Sequence, residues 1–138
     1  MQRLPSIVFL EDSPYDLELI QRVLRKNGID FIGDALQSME QFKERLRAST
    51  PDIIISDYKL PGFTGLEALL EVKKSGKDIP FILVSGTLPD EEAVKAVRLG
   101  AKDYVLKDKL QRLAPAVIRE FDALLQRQEK EKSDNILS

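Results

Sequence analysis

Cysteine, histidine and tryptophan are all missing from this chain. Without cysteine there is no disulfide, no thiolate nucleophile and no thiolate-bound metal. Without histidine no imidazole can serve as a base, a metal ligand or a phosphate carrier. Long apolar runs are also lacking: nothing approaches the ~18 residues that suggest a membrane helix, and Met1-Gln2-Arg3-Leu4-Pro5 lacks the apolar core of a signal peptide. Charge of one sign is not in excess either. The 21 basic and 23 acidic residues leave a formal net charge of −2, too little for long-range attraction to nucleic acid or to an anionic membrane. These absences predict a cytoplasmic protein with no direct nucleic-acid or membrane partner. Its chemistry falls to carboxylates, hydroxyls and lysines.

What is present is a chain of 138 residues, 43% hydrophobic, enough for one domain with one real core. Five short apolar runs alternate with amphipathic stretches, the pattern of repeated βα units and a mostly parallel sheet. Runs 7–10, 53–55 and 81–84 are continuous, as expected of central strands covered by helices on both faces. Segment 31–36 contains Gly33 and Asp34 and is assigned to an edge. The fifth run is Tyr104-Val105-Leu106.

Capping signals place the helices between the runs. Ser13 caps a first helix whose first residue is Pro14, with Asp16 adding favourable charge in the first turn and Gly28 closing it after Asn27. Ser38 with Gln41, and Thr64 with Glu67, have capping-box spacing, so helices are predicted from residues 39 and 65, the latter ended by Gly76. A fourth helix is predicted from Pro89, with Ala93, Val94, Val97 and Leu99 as its inward face and Gly100 as its stop. The last carries apolar residues at 110, 113, 114, 117, 118, 121, 124 and 125. Pro115 interrupts that stripe, which predicts a short turn over 108–113 and a main helix with Pro115 near its start. Residues 1–125 form the predicted domain. Residues 126–138 are a polar extension of the fifth helix, a linker or frayed tail.

In open parallel sheets ligands bind beyond the carboxyl ends of the strands. There the runs place Glu11 and Asp12, then Asp57, then Ser85, and finally Lys107. Three crowded carboxylates repel one another unless one is protonated or a cation is bound. Mg²⁺ suits them, because it takes few protein carboxylates and leaves positions for phosphate oxygens. A backbone carbonyl in the loop just after Asp57 completes the predicted ligand set of Glu11, Asp12 and Asp57. Mg²⁺, Lys107 and the Ser85 hydroxyl would then each neutralise or bind one oxygen of a transferring phosphoryl group. Asp57 between them is the candidate nucleophile, already ionised and in need of no general base.

These motifs, in this order and spacing, resemble the response-regulator receiver domain, the CheY-like family, over residues 5–125. The acidic pair is Glu11-Asp12, the acceptor segment runs from Asp57 through Pro61 and Gly62 to Gly65, the hydroxyl lies in Val84-Ser85-Gly86-Thr87, and the lysine ends Tyr104-Val105-Leu106-Lys107. The resemblance implies an α/β fold with a five-stranded parallel sheet in the order 2-1-3-4-5 and helices on both faces. It implies a phosphoacceptor of a two-component phosphorelay. In that role Asp57 is charged by a histidine kinase or histidine phosphotransfer domain, Ser85 and Tyr104 act as switch residues, and the face made by helix 4, strand 5 and helix 5 changes for an output domain, a target protein or a second copy of the chain. Such a protein is not a conventional enzyme, although it catalyses its own phosphorylation and dephosphorylation at Asp57.

Three positions depart from the family pattern. Glu11 stands where aspartate is commoner. Asp108 follows Lys107 in place of proline, which predicts a trans bond and a different turn into the last helix. Lys59 brings a cation to the mouth of the site, at a position that tunes phosphate lifetime in the family. The charged face of Glu92, Lys95, Arg98, Lys102, Arg119 and Glu120 is a candidate dimer or partner surface. Competing readings are a haloacid-dehalogenase-type aspartyl phosphatase, disfavoured because Asp57-Tyr58-Lys59 lacks the second acid of D-x-D, and a non-phosphorylated pseudo-receiver that only scaffolds. A flavodoxin-like cofactor binder is disfavoured because the loop after the first strand is acidic where a phosphate cradle needs Gly, Ser or Thr.

Overall fold

The computed structural model describes residues 3–87 and 90–137. Met1, Gln2, Leu88, Pro89 and Ser138, including the proline predicted to open the fourth helix, lie outside the described residues. Five parallel strands form one sheet: β1 (Ser6–Leu10), β2 (Ile32–Leu36), β3 (Ile53–Asp57), β4 (Phe81–Ser85) and β5 (Asp103–Leu106). Their spatial order is β2-β1-β3-β4-β5, the 2-1-3-4-5 order implied by the resemblance. A separate two-stranded antiparallel hairpin, Lys59–Leu60 with Phe63–Thr64, follows β3.

Strand side chains alternate between two cores, because successive Cβ atoms point to opposite faces. Ile7, Phe9, Ile53, Ile55, Ile82 and Val84 go to one face, together with Leu24 and Val117. Val8, Leu10, Ile54, Phe81 and Leu83 go to the other, with Phe42, Leu69 and Ala96. The first face is covered by α1 (Pro14–Lys26) and α5 (Leu113–Leu137), the second by α2 (Met39–Ala48), α3 (Gly65–Lys74) and α4 (Asp90–Leu99). This two-sided burial is why the central runs are continuous. Phe9, Phe42 and Phe81 are fully buried, each worth about 1.5–3 kcal/mol against exposure. At the edge, β2 is exposed over Ile32–Ala35, and Arg45 covers part of it by pairing with Asp34 at 2.7 Å.

The caps act as their residue types dictate. The hydroxyls of Ser13, Ser38 and Thr64 each accept the backbone N–H three residues on, from Asp16, Gln41 and Glu67. Gly28, Gly76 and Gly100 follow α1, α3 and α4 with positive φ of 79°, 73° and 107°, the conformation that ends a helix at least cost in glycine.

One expectation is corrected. Of the face expected on α4, Ala93 is buried and Leu99 packs partly buried on the core, joined by Ala96, while Val94 and Val97 are 48% and 59% exposed. Small side chains are what permit a helix backbone to lie close on a sheet, so the alanines take the buried face and the valines its outer flank. Beyond Leu125 the polar segment continues α5, which is helical through Leu137, with residues 126–135 exposed. Its polar turns are held partly by Arg3, which donates to Asp52 at 2.6 and 2.9 Å and to Gln128 at 3.0 Å and lies over the ring of Phe121.

The approach to α5 has the predicted break. A 3₁₀ helix spans Lys107–Arg112, with Lys109 off helical geometry at φ −130° and ψ 44°. Pro115 sits in the first turn of α5, where its missing N–H has no helical partner to lose. The Lys107–Asp108 bond is trans. Leu113, Ala114, Val117 and Phe121 are buried from the expected stripe, joined by Ala116, whereas Ile118 is 45% exposed. Among the described residues no helix is long and apolar enough to cross a membrane.

Candidate functional site

The carboxyl ends of β1, β3, β4 and β5 converge on one side of the sheet. Parallel pairing sets this, since Leu10 lies level with Ser56, Asp57 with Val84, and Ser85 with Leu106. The residue that follows or ends each strand therefore arrives at a common rim.

Glu11 is only 2% exposed. Its Oε1 accepts the N–H of Ser13 at 3.1 Å, while Oε2 lies 3.0 Å from the Lys107 ammonium without a well-directed hydrogen bond. Burial pushes this carboxyl above the ordinary glutamate range, and neighbouring Asp57 adds to the effect, opposed by the Ser13 N–H and Lys107. Asp57 ends β3, with its side chain 11% exposed and Oδ2 3.1 Å from Lys107. Asp12 is exposed beside them. Carboxylate oxygens of Glu11, Asp12 and Asp57 lie within 4.8 Å of one another.

Lys107 is held by three carboxylates, those of Asp57, Glu11 and, closest at 2.7 Å, Asp16. Burial by itself lowers its pKa. Its hydrogen bond to Asp16, the Glu11 carboxylate beside it, and the charge and hydrogen bond of Asp57 outweigh that and raise its pKa well above the usual lysine value. Asp16 is the residue the sequence reading missed, having been assigned only to the first turn of α1. The signal was available: in a βα unit the helix begins at the rim where the strand ends, so a first-turn side chain reaches the same rim. With Asp16 the described site holds four carboxylates against Lys107, a formal −3, one more negative charge than the three-carboxylate set.

A cavity of about 520 Å³ opens over Asp57, lined by Asp16, Lys59, Ser85, Thr87 and Lys107 among others. Ser85 is buried and its Oγ donates to the Thr87 carbonyl at 2.8 Å. Lys59 is exposed at the start of the hairpin. Tyr104 is not in this cavity: it packs partly buried against the α2–α3–α4 core and borders a groove with Ala93, Val94, Val97 and Arg98. On the charged face, Arg119 pairs with Glu120 at 2.9 Å and Asp103 at 3.5 Å, and Lys95 pairs with Glu92 at 3.4 Å, whereas Arg98 and Lys102 are simply exposed.

The donor set tests for a metal by its chemistry. Glu11, Asp12 and Asp57 supply only hard oxygen ligands, and the buried Glu11 Oε2 lacks a hydrogen bond. Both features fit Mg²⁺ and neither fits a soft metal.

Gly65 positions Asp57 from behind. It begins α3, its N–H donates to the Tyr58 carbonyl at 2.7 Å, and a Cβ there would stand 2.6 Å from the Asp57 carbonyl oxygen and 2.5 Å from Leu83 Cδ1. Gly65→Ala must shift backbone in a packed region, at a cost of about 1–3 kcal/mol. Urea denaturation is expected to show a midpoint lowered accordingly; an unchanged midpoint would mean that α3 can withdraw freely.

Comparison with known proteins agrees with this architecture. Residues 7–118 match the family model described as the response regulator receiver domain. The luminescence regulatory protein LuxO of Vibrio campbellii is 33% identical over 100 residues, 71% of this chain but 21% of LuxO. The chemotaxis protein CheY of Bacillus subtilis is 28% identical over 104 residues, 73% of this chain and 83% of CheY. The transcriptional regulatory protein AfsQ1 of Streptomyces coelicolor is 31% identical over 132 residues, 96% of this chain and 56% of AfsQ1. The chain thus spans about a fifth of LuxO and about half of AfsQ1. Among solved structures, the signal receiver domain of a LuxO repressor protein from Vibrio parahaemolyticus superposes with a TM-score of 0.83 at 21% identity, over 94% of this chain and 98% of that one.

Proposed function

The chain belongs to the response regulator receiver domain family, and from that premise we propose that it is a phosphoacceptor of a two-component phosphorelay, with Asp57 as the acceptor. Glu11, Asp12, Asp57 and the backbone carbonyl of Lys59 would hold Mg²⁺, which when bound supplies charge neutralisation for phosphoryl oxygens. The donor is a phosphohistidine on a histidine kinase or histidine phosphotransfer domain, so the setting is cytoplasmic. An Asp57 carboxylate oxygen attacks phosphorus, a P–O bond forms as the P–N bond breaks, and the electron pair of that bond stays with the donor imidazole. Lys107 and the Ser85 hydroxyl stabilise the phosphoryl oxygens.

One observation carries this reading: the shared contact of Lys107 with Asp57 at 3.1 Å and Glu11 at 3.0 Å, on the rim where Ser85 also opens. A phosphoryl group on Asp57 competes for the Ser85 hydroxyl, now given to the Thr87 carbonyl. Its departure from Thr87 shifts α4 and the Tyr104 groove toward a state that a downstream output domain or protein reads. Residues 1–125 constitute the receiver, and residues 126–138 a polar extension of α5 that serves as linker or tail. Catalysis is limited to its own phosphorylation and dephosphorylation.

Incubation with Mg²⁺ and acetyl phosphate should add one phosphoryl group by intact mass. The adduct should be absent when the metal is chelated and return when Mg²⁺ is restored. A chain whose mass stays unchanged at millimolar donor and metal rejects the proposal.

A further inference from the structure

Asp16 is used by nothing in the proposed reaction, yet it makes the shortest contact to the residue that reaction depends on. Its Oδ2 lies 2.7 Å from Lys107 Nζ, against 3.0 Å for Glu11 and 3.1 Å for Asp57, and it lines the cavity over Asp57. It is outside the group of carboxylates that could share a metal. An ammonium has three N–H donors, and here three carboxylates surround it. A phosphoryl oxygen on Asp57 can gain Lys107 only if one of them gives way.

The three are not equally able to do so. Glu11, 2% exposed, cannot be rehydrated without opening the core around it, and Asp57, 11% exposed, is itself the residue that carries the phosphoryl group. Asp16 is 30% exposed and stands on the first turn of α1, where its carboxylate turns to water and to the helix N-terminus at small cost.

We propose that Asp16 is a positioning residue that holds Lys107 in the unphosphorylated state and is the partner Lys107 exchanges for the phosphoryl group. The inference rests on the phosphoacceptor reading and extends it. Asp16 opposes phosphorylation in two ways. It occupies a donor the transferring group needs, and it adds a negative charge facing an anionic phosphodonor. Its removal accelerates uptake, the opposite of what loss of a helix-stabilising first-turn acid would do.

The test compares wild type, Asp16→Asn and Asp16→Glu at saturating Mg²⁺, so that any change in metal affinity drops out. Two quantities are measured: the rate of labelling by acetyl phosphate, and the affinity for beryllofluoride, a non-covalent phosphoryl mimic, by calorimetry. Asp16→Asn is expected to raise both by roughly three- to tenfold, the size of a partly exposed charge-assisted contact. Asp16→Glu, which keeps the charge within reach of Lys107, returns both toward wild type. Urea denaturation of each variant confirms folding. If wild type is labelled and Asp16→Asn is labelled at the same rate or more slowly, the inference is overturned while the phosphoacceptor reading stands. Asp16→Glu behaving like Asp16→Asn overturns it as well. A wild type that neither labels nor binds beryllofluoride removes both.

Discussion

Asp57→Asn is expected to abolish phosphoryl uptake entirely, leaving the intact mass unchanged under conditions that label the wild-type chain. The substitution is nearly isosteric, so β3 keeps its pairing with β1 and β4 and the hairpin keeps its place. What is lost is the anionic oxygen, and a neutral amide does not attack phosphorus under these conditions. No other group stands ready to replace it. The chain has no histidine or cysteine, Glu11 is buried beneath Lys107, and Asp12 is absent from the lining of the cavity that Ser85 shares with Asp57. Asp16 does line it, so peptide mapping of any residual label is the decisive measurement. Label on a different carboxylate, or full label on the variant, would remove Asp57 from the proposed role, while a thermal melt shows that the variant is folded.

Lys107→Met is expected to slow labelling by acetyl phosphate by about 10²–10³-fold, the usual consequence of deleting one preorganised donor to transition-state charge. Methionine preserves much of the side-chain length and apolar stem, which isolates the ammonium as the variable. A second consequence concerns the resting protein. Lys107 offsets Glu11, Asp16 and Asp57 together, and without it Glu11 is a buried carboxylate with no cation beside it. Breaking a fully buried pair costs ~3–5 kcal/mol, and this partly exposed cluster is expected to lose less than that. A divalent ion can then take over the lost charge, so Mg²⁺ should raise the melting temperature of Lys107→Met more than that of the wild type. A variant labelled at the wild-type rate would show that Lys107 is a structural counter-ion only.

Much of this site was legible because its parts are tied to strand ends, and strand ends are visible as the last residues of apolar runs. Asp57, Ser85 and Lys107 arrive at one rim for no other reason than that β3, β4 and β5 are parallel and in register. The capping residues Ser13, Ser38 and Thr64 were equally readable, since a local hydrogen bond to the N–H three residues on depends on no distant part of the chain. Gly65 belonged to the quoted motif, but its reason, the approach of the Asp57 carbonyl and Leu83, is a contact between separate elements and leaves no local trace.

The order of residue types along the chain therefore determined the βα alternation, the position of each helix start, and which carboxylates, hydroxyl and lysine share the rim, because periodicity and capping are short-range physics. Tertiary structure alone decided that Asp16 holds Lys107 more closely than Asp57 does, and that Val94 and Val97 are left on the outer flank of α4. Each of these depends on how near two elements approach, and that distance follows from the packing of the whole core rather than from any neighbouring residues.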